Sequence, residues 1–195
     1  TLYGVSVGPG DPGLVTLRAV EVLRACPVIA VPISVAETPV ALEIARQAVP
    51  EVDGKELLRL KFPMIHDKAA LGQSHDRAAA QVMEILDQGR DVAMINLGDA
   101  SIYATYSSIQ SRVLAAGEYQ VITIPGVPSF CAVAARLNLG LTKPHLPLDI
   151  IPGGYAGVEE ALILAGSKIL MKAGKEAGRL RACLEGRPGV SASLV

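Results

Sequence analysis

The 195-residue sequence has no tryptophan, only two phenylalanines and five tyrosines, and almost no charge imbalance. So few aromatic rings argue against the stacking platforms on which proteins bind single-stranded nucleic acid. The 18 basic and 19 acidic residues give a formal net charge of −1, so there is no basic field to attract DNA or RNA. We therefore expect no nucleic-acid partner.

Cysteine and long apolar runs are also scarce. Cys26, Cys131 and Cys183 are odd in number and lie in apolar contexts, which predicts buried thiols in a reducing compartment rather than disulfides or metal ligands. The apolar runs are much shorter than a membrane span, and no signal peptide is visible, because Thr1 already stands at the edge of a strand-like run. We expect a cytoplasmic protein without a membrane partner.

The usual signatures of metal and nucleophile sites are missing from the sequence. His66, His75 and His145 do not have the spacing of metal ligands, and no Gly-x-Ser-x-Gly elbow is present. No cysteine stands in an electropositive setting at the start of a helix. We predict no protein-bound metal. Such a chain suits a reaction whose cosubstrate is already activated, because the protein then needs only to align the reactants.

Half of the residues are apolar, and strand and helix signals alternate along the chain, which predicts βαβ units around a mainly parallel sheet. The pattern weakens near residues 125–140. We therefore predict an N-terminal α/β domain at 1–125 and a C-terminal α/β domain at 126–195. The predicted strands cover residues 2–7, 27–32, 56–63, 91–99, 119–126, 147–151, 167–172 and 191–195, and the predicted helices cover 14–25, 38–49, 74–89, 101–116, 128–138 and 175–185.

Polar residues and glycine mark several predicted helix ends. Asp11 is the expected cap of the first helix, with Thr16 inside its first turn. Thr38 is the expected cap of the second helix. Ser74 is expected to begin the third helix and Gly89 to end it.

Three glycine-containing loops follow the first, fourth and fifth predicted strands: GPGDPG (8–13), NLGDASIY (96–103) and IPGVPS (124–129). Glycine allows a ligand to approach the main chain closely, and parallel strands present such loops at one edge, where ligands bind. The sequence therefore predicts that the three loops converge on one site. A P-loop and a Rossmann fingerprint are excluded, because neither Gly-Lys-Ser/Thr nor G-x-G-x-x-G is present. Each loop taken alone is equally well explained as a tight turn, or as a helix cap formed by Asp99 or Ser101.

Four segments together resemble the tetrapyrrole methylases that use S-adenosylmethionine. They are YGVSVGPGDPGLVTLRAVEVLRACPVIAVP (3–32), LGDASIYAT (97–105), IPGVPSFCAVAARLNLGL (124–141) and KILMKAG (168–174). The resemblance implies two α/β domains, with a mainly parallel N-terminal sheet and a smaller mixed sheet in the C-terminal domain. It also implies a homodimer that binds the methyl donor in the cleft between the domains, with S-adenosylhomocysteine as the product.

Within that family, two details resemble the branch that methylates C20 of precorrin-2 or cobalt-factor II on the way to the corrin ring of cobalamin. One is FPM (62–64) followed by Asp67, and the other is Ser-x-Tyr after Asp99. The sequence does not say whether the ring carries cobalt before methylation.

The resemblance also implies which residues hold the donor, with Asp99 near its amino or ribose groups. A carboxylate at this position can pair with an ammonium group. No catalytic group is identified beyond donor and substrate positioning near Pro9 and Asp99. The implied donor-binding residues are Pro9, Leu97, Gly98, Asp99, Ile102, Pro128, Ser129 and Met171.

The sequence departs from the family pattern at two positions. Ala100 replaces the usual proline after Gly-Asp, and Pro128 replaces the usual Thr or Ser, so that Ser129 is left to supply the hydroxyl. The acetate and propionate arms of the macrocycle need cations, for which Arg136, Lys143 and His145 are candidates, although an ordinary solvated surface explains them too.

Three other functions remain open at this point. A sister methylase of the family acts on another ring carbon, and a related fold methylates a modified residue on a protein. Outside the enzymes, a non-catalytic module binds S-adenosylmethionine or its product.

Overall fold

The computed structural model describes residues 1–33, 39–63, 67–187 and 189–193. The chain divides into two compact units, Thr1–Ser129 (unit 1) and Phe130–Val195 (unit 2). Each unit has its own sheet.

Unit 1 is built on a five-stranded sheet with the strand order β3-β2-β4-β1-β5, in which every neighbouring pair is parallel. The first strand therefore lies between β4 and β5. The direction of winding reverses between β1 and β4, which is where open parallel sheets bind ligands. The predicted parallel α/β fold is confirmed. The strands are β1 (Leu2–Ser6), β2 (Val28–Ile33), β3 (Glu56–Lys61), β4 (Val92–Asn96) and β5 (Val121–Ile124).

Four helices cover the two faces of this sheet. Side chains alternate along a strand, so Val5 of β1 packs with Leu23 on the face covered by α1 and α2. On the opposite face, Leu2 packs with Met94 and Ile109 beneath α3 and α4. The helices are α1 (Leu17–Ala25), α2 (Val40–Ala48), α3 (Lys68–Leu86) and α4 (Tyr106–Ala115), with short 3₁₀ turns at Pro12–Leu14 and Pro50–Gly54.

The first helix begins later than predicted. Thr16 is its cap, because its side-chain Oγ1 accepts a hydrogen bond of 3.2 Å from Ala19 N–H. Asp11 instead caps the preceding 3₁₀ turn, where it accepts a 2.8 Å bond from Gly13 N–H. The prediction of one continuous helix from residue 14 was wrong, since Val15 is extended and separates the two elements.

The third helix begins six residues earlier than predicted, at Lys68, because Asp67 caps it by accepting from Ala69 N–H at 2.8 Å. The predicted cap, Ser74, is buried inside the helix, where its hydroxyl donates to Leu71 O at 2.9 Å. The helix ends at Leu86, before Gly89.

Two further predictions concern the starts of the fourth and the second helix. The fourth helix begins at Tyr106, five residues later than predicted, because residues 100–103 form turns at the end of β4. The predicted cap Thr38 lies outside the described residues, and the second helix is described from Val40 onward.

Unit 2 contains a small sheet in which β6 (Leu148–Pro152) and β7 (Ser167–Met171) pair in parallel. Its helices pack on a core of Ile151, Val158 and Leu180. The short helix at Val158–Ile163 was not predicted, since six residues are too few to display a helical period. Residues 191–193 are not in the strand predicted for the end of the chain. The helices are α5 (Ser129–Arg136, which starts at the last residue of unit 1), α6 (Val158–Ile163) and α7 (Ala177–Leu184).

The three cysteines are free but differ in burial. Cys26 is buried, and this burial raises the pKa of its thiol to about 11. Cys183 is half-buried, while Cys131 is exposed on α5. The prediction of a buried thiol is therefore right for Cys26 and wrong for Cys131. Among the described residues, the structure contains no helix with the length and apolar character that a membrane crossing requires.

Candidate functional site

The carboxyl ends of β4, β1 and β5, together with the loops that follow them, form what is here termed the ligand edge. Its first feature is a main-chain bridge between the first two loops. Gly8 N–H donates to Gly98 O at 3.2 Å, and Gly98 N–H donates to Gly8 O at 2.8 Å. Their φ angles of +75° and +71° lie in the left-handed region, which glycine adopts without steric cost. The backbone itself therefore requires both glycines.

The carboxylate of Asp99 joins the loops after β4 and β5. Its Oδ2 accepts a hydrogen bond of 2.8 Å from Gly126 N–H. Its Oδ1 accepts a 2.8 Å bond from Ser101 N–H and a second bond from the Ser101 hydroxyl. Since β1 separates β4 from β5 in the sheet, this side chain reaches across the end of β1. The predicted convergence of the three loops is confirmed.

Ser6, the last residue of β1, lies beneath both of the other loops. It is completely buried, and its Oγ accepts a 2.9 Å bond from Ala100 N–H. A Cβ added at Gly126 would stand 2.4 Å from Ser6 Cβ and 2.9 Å from Gly98 O. Glycine at position 126 is thus required by close packing. A proline at position 100 has no N–H, so it could not make the bond to Ser6.

The hydrogen bonds to Asp99 also determine its charge. Burial alone would raise the pKa of this carboxyl group, but the bonds from Gly126 N–H and from Ser101 outweigh it and hold the pKa below its ordinary value. Asp99 is therefore negatively charged at neutral pH.

This lowered pKa predicts an acid-dependent loss of stability. A carboxyl group whose pKa is lower in the folded state stabilises the fold above its ordinary pKa of about 3.9, and this contribution disappears as the pH falls through the folded value. We expect Asp99→Asn to lower the free energy of unfolding at pH 7 by about 1–3 kcal/mol, since the amide keeps only one acceptor oxygen and its NH2 group faces the donors that the other oxygen held.

Urea unfolding of both proteins as a function of pH measures this effect. The difference between wild type and Asp99→Asn should shrink as the solution becomes more acidic than the ordinary carboxyl pKa. A difference that stays constant down to the most acidic conditions at which both fold would contradict the assignment.

Seven of the eight residues expected to hold the donor lie in unit 1 at the ligand edge. Gly98 and Asp99 are buried there, and Leu97 is 52% exposed. The eighth, Met171, lies in unit 2 at the end of β7, where its carbonyl accepts a 2.7 Å bond from Gly153 N–H. The other residues of the edge are Pro9, Ile102 and Pro128, which are half-buried, and Ser129, which is exposed.

The three cations considered for the substrate carboxylates, Arg136, Lys143 and His145, are all exposed. They lie between the start of α5 and the start of β6, in the segment 130–147 of unit 2. The structure therefore leaves their side chains accessible to solvent.

Sequence reasoning missed Ser6 and the contacts of Ser101 and Gly126. Ser6 looks like an ordinary strand residue, and its partner Ala100 lies 94 positions away. One signal was available, because a serine at the end of a strand of apolar residues has to find a hydrogen-bond partner when it is buried.

Two further features of the described residues bear on where a ligand could bind. Among the residues that the structure describes, no three His, Cys, Asp or Glu side chains are grouped to hold a metal ion. A depression of about 170 Å³ beside Tyr3, Cys26 and Asp91 lies at the amino ends of the strands. It is smaller than the roughly 300–1,000 Å³ of usual ligand pockets.

Comparison with known proteins gives a family and several relatives. The family model for tetrapyrrole (corrin/porphyrin) methylases matches residues 1–192. A protein of Methanocaldococcus jannaschii named probable cobalt-precorrin-2 C(20)-methyltransferase is 37% identical over 154 residues, which are 78% of this chain and 64% of that protein. The cobalt-precorrin-2 C(20)-methyltransferase of Salmonella typhimurium is 31% identical over 186 residues, which are 94% of this chain and 77% of that protein.

A solved structure supports the fold. Uroporphyrin-III C-methyltransferase of Thermus thermophilus, complexed with S-adenosylhomocysteine, superposes with a TM-score of 0.68 at 22% identity and covers 95% of this chain and 77% of its own. The resemblance carried by the four sequence motifs is confirmed by the match over nearly the whole chain. The chain belongs to the tetrapyrrole (corrin/porphyrin) methylase family.

Proposed function

We propose that this protein transfers a methyl group from S-adenosylmethionine to C20 of precorrin-2 or cobalt-factor II, in the synthesis of the corrin ring of cobalamin. The observation that carries the proposal is the sequence identity of 37% and 31% to two relatives that are both named C(20)-methyltransferases. The ligand edge of unit 1 supplies the physical support.

The residues at this edge fit a nucleoside that carries a positive charge. An added Cβ at Gly98 would meet no atom nearer than Ser129 N, at 3.9 Å, so the space beside this glycine is open. Leu97 next to it exposes apolar surface, which suits an adenine or a thioether chain. The negative charge of Asp99 favours a cationic ligand at the same edge.

Each residue of the edge then has a separate part in holding the donor. Gly98 would allow the donor to approach the main chain, and the Ser129 hydroxyl would donate to its amino-acid part. The half-buried or exposed apolar side chains of the edge, Pro9, Leu97, Ile102 and Pro128, would exclude water from the reacting atoms. Met171 of unit 2 is proposed for the adenine side of the donor, as the family resemblance implies.

The proposed reaction requires the protein to align the two reactants and does not require a nucleophilic side chain. S-adenosylmethionine, when bound, supplies a methyl group on a positively charged sulfur. The transfer forms a bond between ring C20 and the methyl carbon, breaks the sulfur–methyl bond and releases one proton from the ring. The chain's own contribution is to hold the two partners in line and to keep water out, which converts an encounter in solution into an oriented step.

The substrate's acetate and propionate arms require positive charge on the protein. Arg136, Lys143 and His145 are exposed and are proposed to meet some of these carboxylates. We also propose that the protein works as a homodimer, as the family resemblance implies. From the cysteine pattern we propose a cytoplasmic location, and from the weakening of the strand and helix signals a domain boundary at 125/126. Sedimentation tests the homodimer, and limited proteolysis tests the boundary.

The function is tested by incubating the purified protein with donor carrying a ¹³C methyl group and with precorrin-2 or cobalt-factor II. We expect the label at C20 in the NMR spectrum of the product. Comparing the two substrates shows whether the ring carries cobalt first. Label at another ring carbon would instead indicate a sister methylase. Tight binding of S-adenosylhomocysteine without transfer to any tetrapyrrole would indicate a binding module.

A matched pair of glycine variants shows whether transfer depends on the ligand edge. Gly98 and Gly89 have φ angles of +71° and +73°, and no atom lies within 3.8 Å of either added Cβ. Alanine therefore introduces similar backbone strain at both positions, but Gly89 follows α3, away from the edge. Gly98→Ala is expected to lower the rate by about tenfold or more, because a misplaced reactant is costly, while Gly89→Ala keeps it.

A further inference from the structure

We propose that Ser6 and Asp99 are positioning residues that fix the shape of the ligand edge before the donor binds. The two side chains and the three N–H groups that they hold, those of Ala100, Ser101 and Gly126, are termed the latch. The inference rests on the proposed function, because it assumes that the donor binds at this edge.

The latch supplies a connection that the sheet does not. The loops after β4 and β5 come from strands that are not neighbours, since β1 lies between them. Sheet hydrogen bonds therefore leave the two loops unlinked, and the 2.8 Å bond from Gly126 N–H to Asp99 Oδ2 joins them directly. We therefore expect the loop after β5 to move away from Gly98 more easily when this bond is removed.

Ser6 acts only through another residue. It is completely buried, so no ligand at the edge touches its side chain. Its Oγ accepts a hydrogen bond of 2.9 Å from Ala100 N–H, and this bond holds the loop after β4 against the end of β1. Any effect of Ser6 on donor binding must pass through the positions of the loops that it contacts, those after β4 and β5.

Both oxygens of Asp99 are engaged by the protein itself. Oδ1 accepts from the main chain and the hydroxyl of Ser101, and Oδ2 accepts from Gly126. The residue as a whole is only 8% exposed. The main role of Asp99 is therefore to hold the two loops together. This role does not require a contact with the amino group of the donor.

The test measures the affinity of two thioether probes by calorimetry at a temperature where all variants remain folded. S-adenosylhomocysteine has an amino-acid part, and 5′-methylthioadenosine is a related nucleoside that lacks it. We expect Ser6→Ala and Asp99→Asn each to lower the affinity for the two probes equally, by about tenfold, since a loosened site has to be reordered on binding.

Two exposed residues of unit 1 provide matched controls. Ser111 also bonds the main chain, donating to Ser108 O at 3.2 Å, and Asp76 accepts from Arg112 Nε at 2.6 Å. Ser111→Ala and Asp76→Asn should bind both probes like the wild type. Amide exchange measured by NMR is the second readout, and Gly126 N–H should exchange faster in Asp99→Asn only.

The possible outcomes separate this inference from the function on which it rests. Loss of affinity for S-adenosylhomocysteine alone in Asp99→Asn would mean that Asp99 binds the ammonium group, and would overturn the latch. Wild-type affinity in Ser6→Ala would also overturn it. If Ser6→Ala does not fold, Ser6→Cys, which has a similar side chain with a weaker acceptor, should lower the affinity for both probes by less than tenfold, and wild-type affinity in Ser6→Cys would then overturn the latch. A wild type that binds neither probe would refute the proposed function instead.

Discussion

Replacing Gly126 by alanine is expected to lower the rate of the proposed methyl transfer by about 100-fold, because a displacement of about 1 Å near reacting groups is enough for such a loss. The new Cβ would stand 2.4 Å from Ser6 Cβ and 2.9 Å from Gly98 O. Ser6 belongs to a central strand and Gly98 to the main-chain bridge, so neither moves easily. The loop after β5 has to move outward instead, and the bond from Gly126 N–H to Asp99 is lost.

The rate of transfer is measured with labelled donor and compared with that of Gly54→Ala. Gly54 has no atom within 4 Å of an added Cβ and lies in a 3₁₀ turn remote from the edge. The control should transfer the methyl group at the wild-type rate. A Gly126→Ala protein that keeps the wild-type rate would show that the spacing of these loops is unimportant.

The largest expected loss of stability comes from Gly4→Ala in the middle of β1. The ring of Tyr106, on α4, packs directly over this glycine, and three of its carbons would lie 2.1–2.5 Å from an added Cβ. Tyr106 is 1% exposed and its hydroxyl accepts a 3.3 Å bond from the hydroxyl of Thr123 on β5, so the ring has nowhere to move. We expect the free energy of unfolding to fall by about 3 kcal/mol, at the upper end for an overpacked core.

Urea unfolding measures this loss, and two further variants identify its cause. Gly72→Ala in α3 should instead stabilise the protein by about 0.5–1 kcal/mol, since no atom lies within 4 Å of its added Cβ and alanine favours a helix. In a Tyr106→Leu background the cost of Gly4→Ala should be smaller, because the ring that the methyl group meets is gone. Equal costs in both backgrounds would contradict this explanation.

Much of the fold could be predicted because alternating strand and helix signals are local. The five strands of unit 1 lie within one or two residues of their predicted starts. Helix starts were less accurate, since several polar residues compete to cap a helix and only the tertiary structure decides among them. Serine is a common capping residue, yet Ser74 is buried in the interior of α3. The cap is Asp67, whose side chain accepts hydrogen bonds from the free N–H groups at the start of the helix.

The site was predicted in outline and missed in detail for a related reason. The three loops were identified by glycine and by their place after strands. The links between them depend on strand order, which spacing along the chain does not reveal. Only the position of β1 between β4 and β5 brings Ser6 under Ala100 and Asp99 beside Gly126.

The central place of β1 has a consequence for how the chain folds. Leu2 pairs with Val92 on one side and with Val121 on the other, so β1 is enclosed only when strands about 90 and 119 residues further along the chain have joined it. Closing a loop of this length costs entropy before any ladder bond forms, and such long-range pairings make folding slow. Until then the edges of β4 and β5 that β1 covers stay unpaired, and unpaired strand edges of this kind make folding intermediates prone to aggregate.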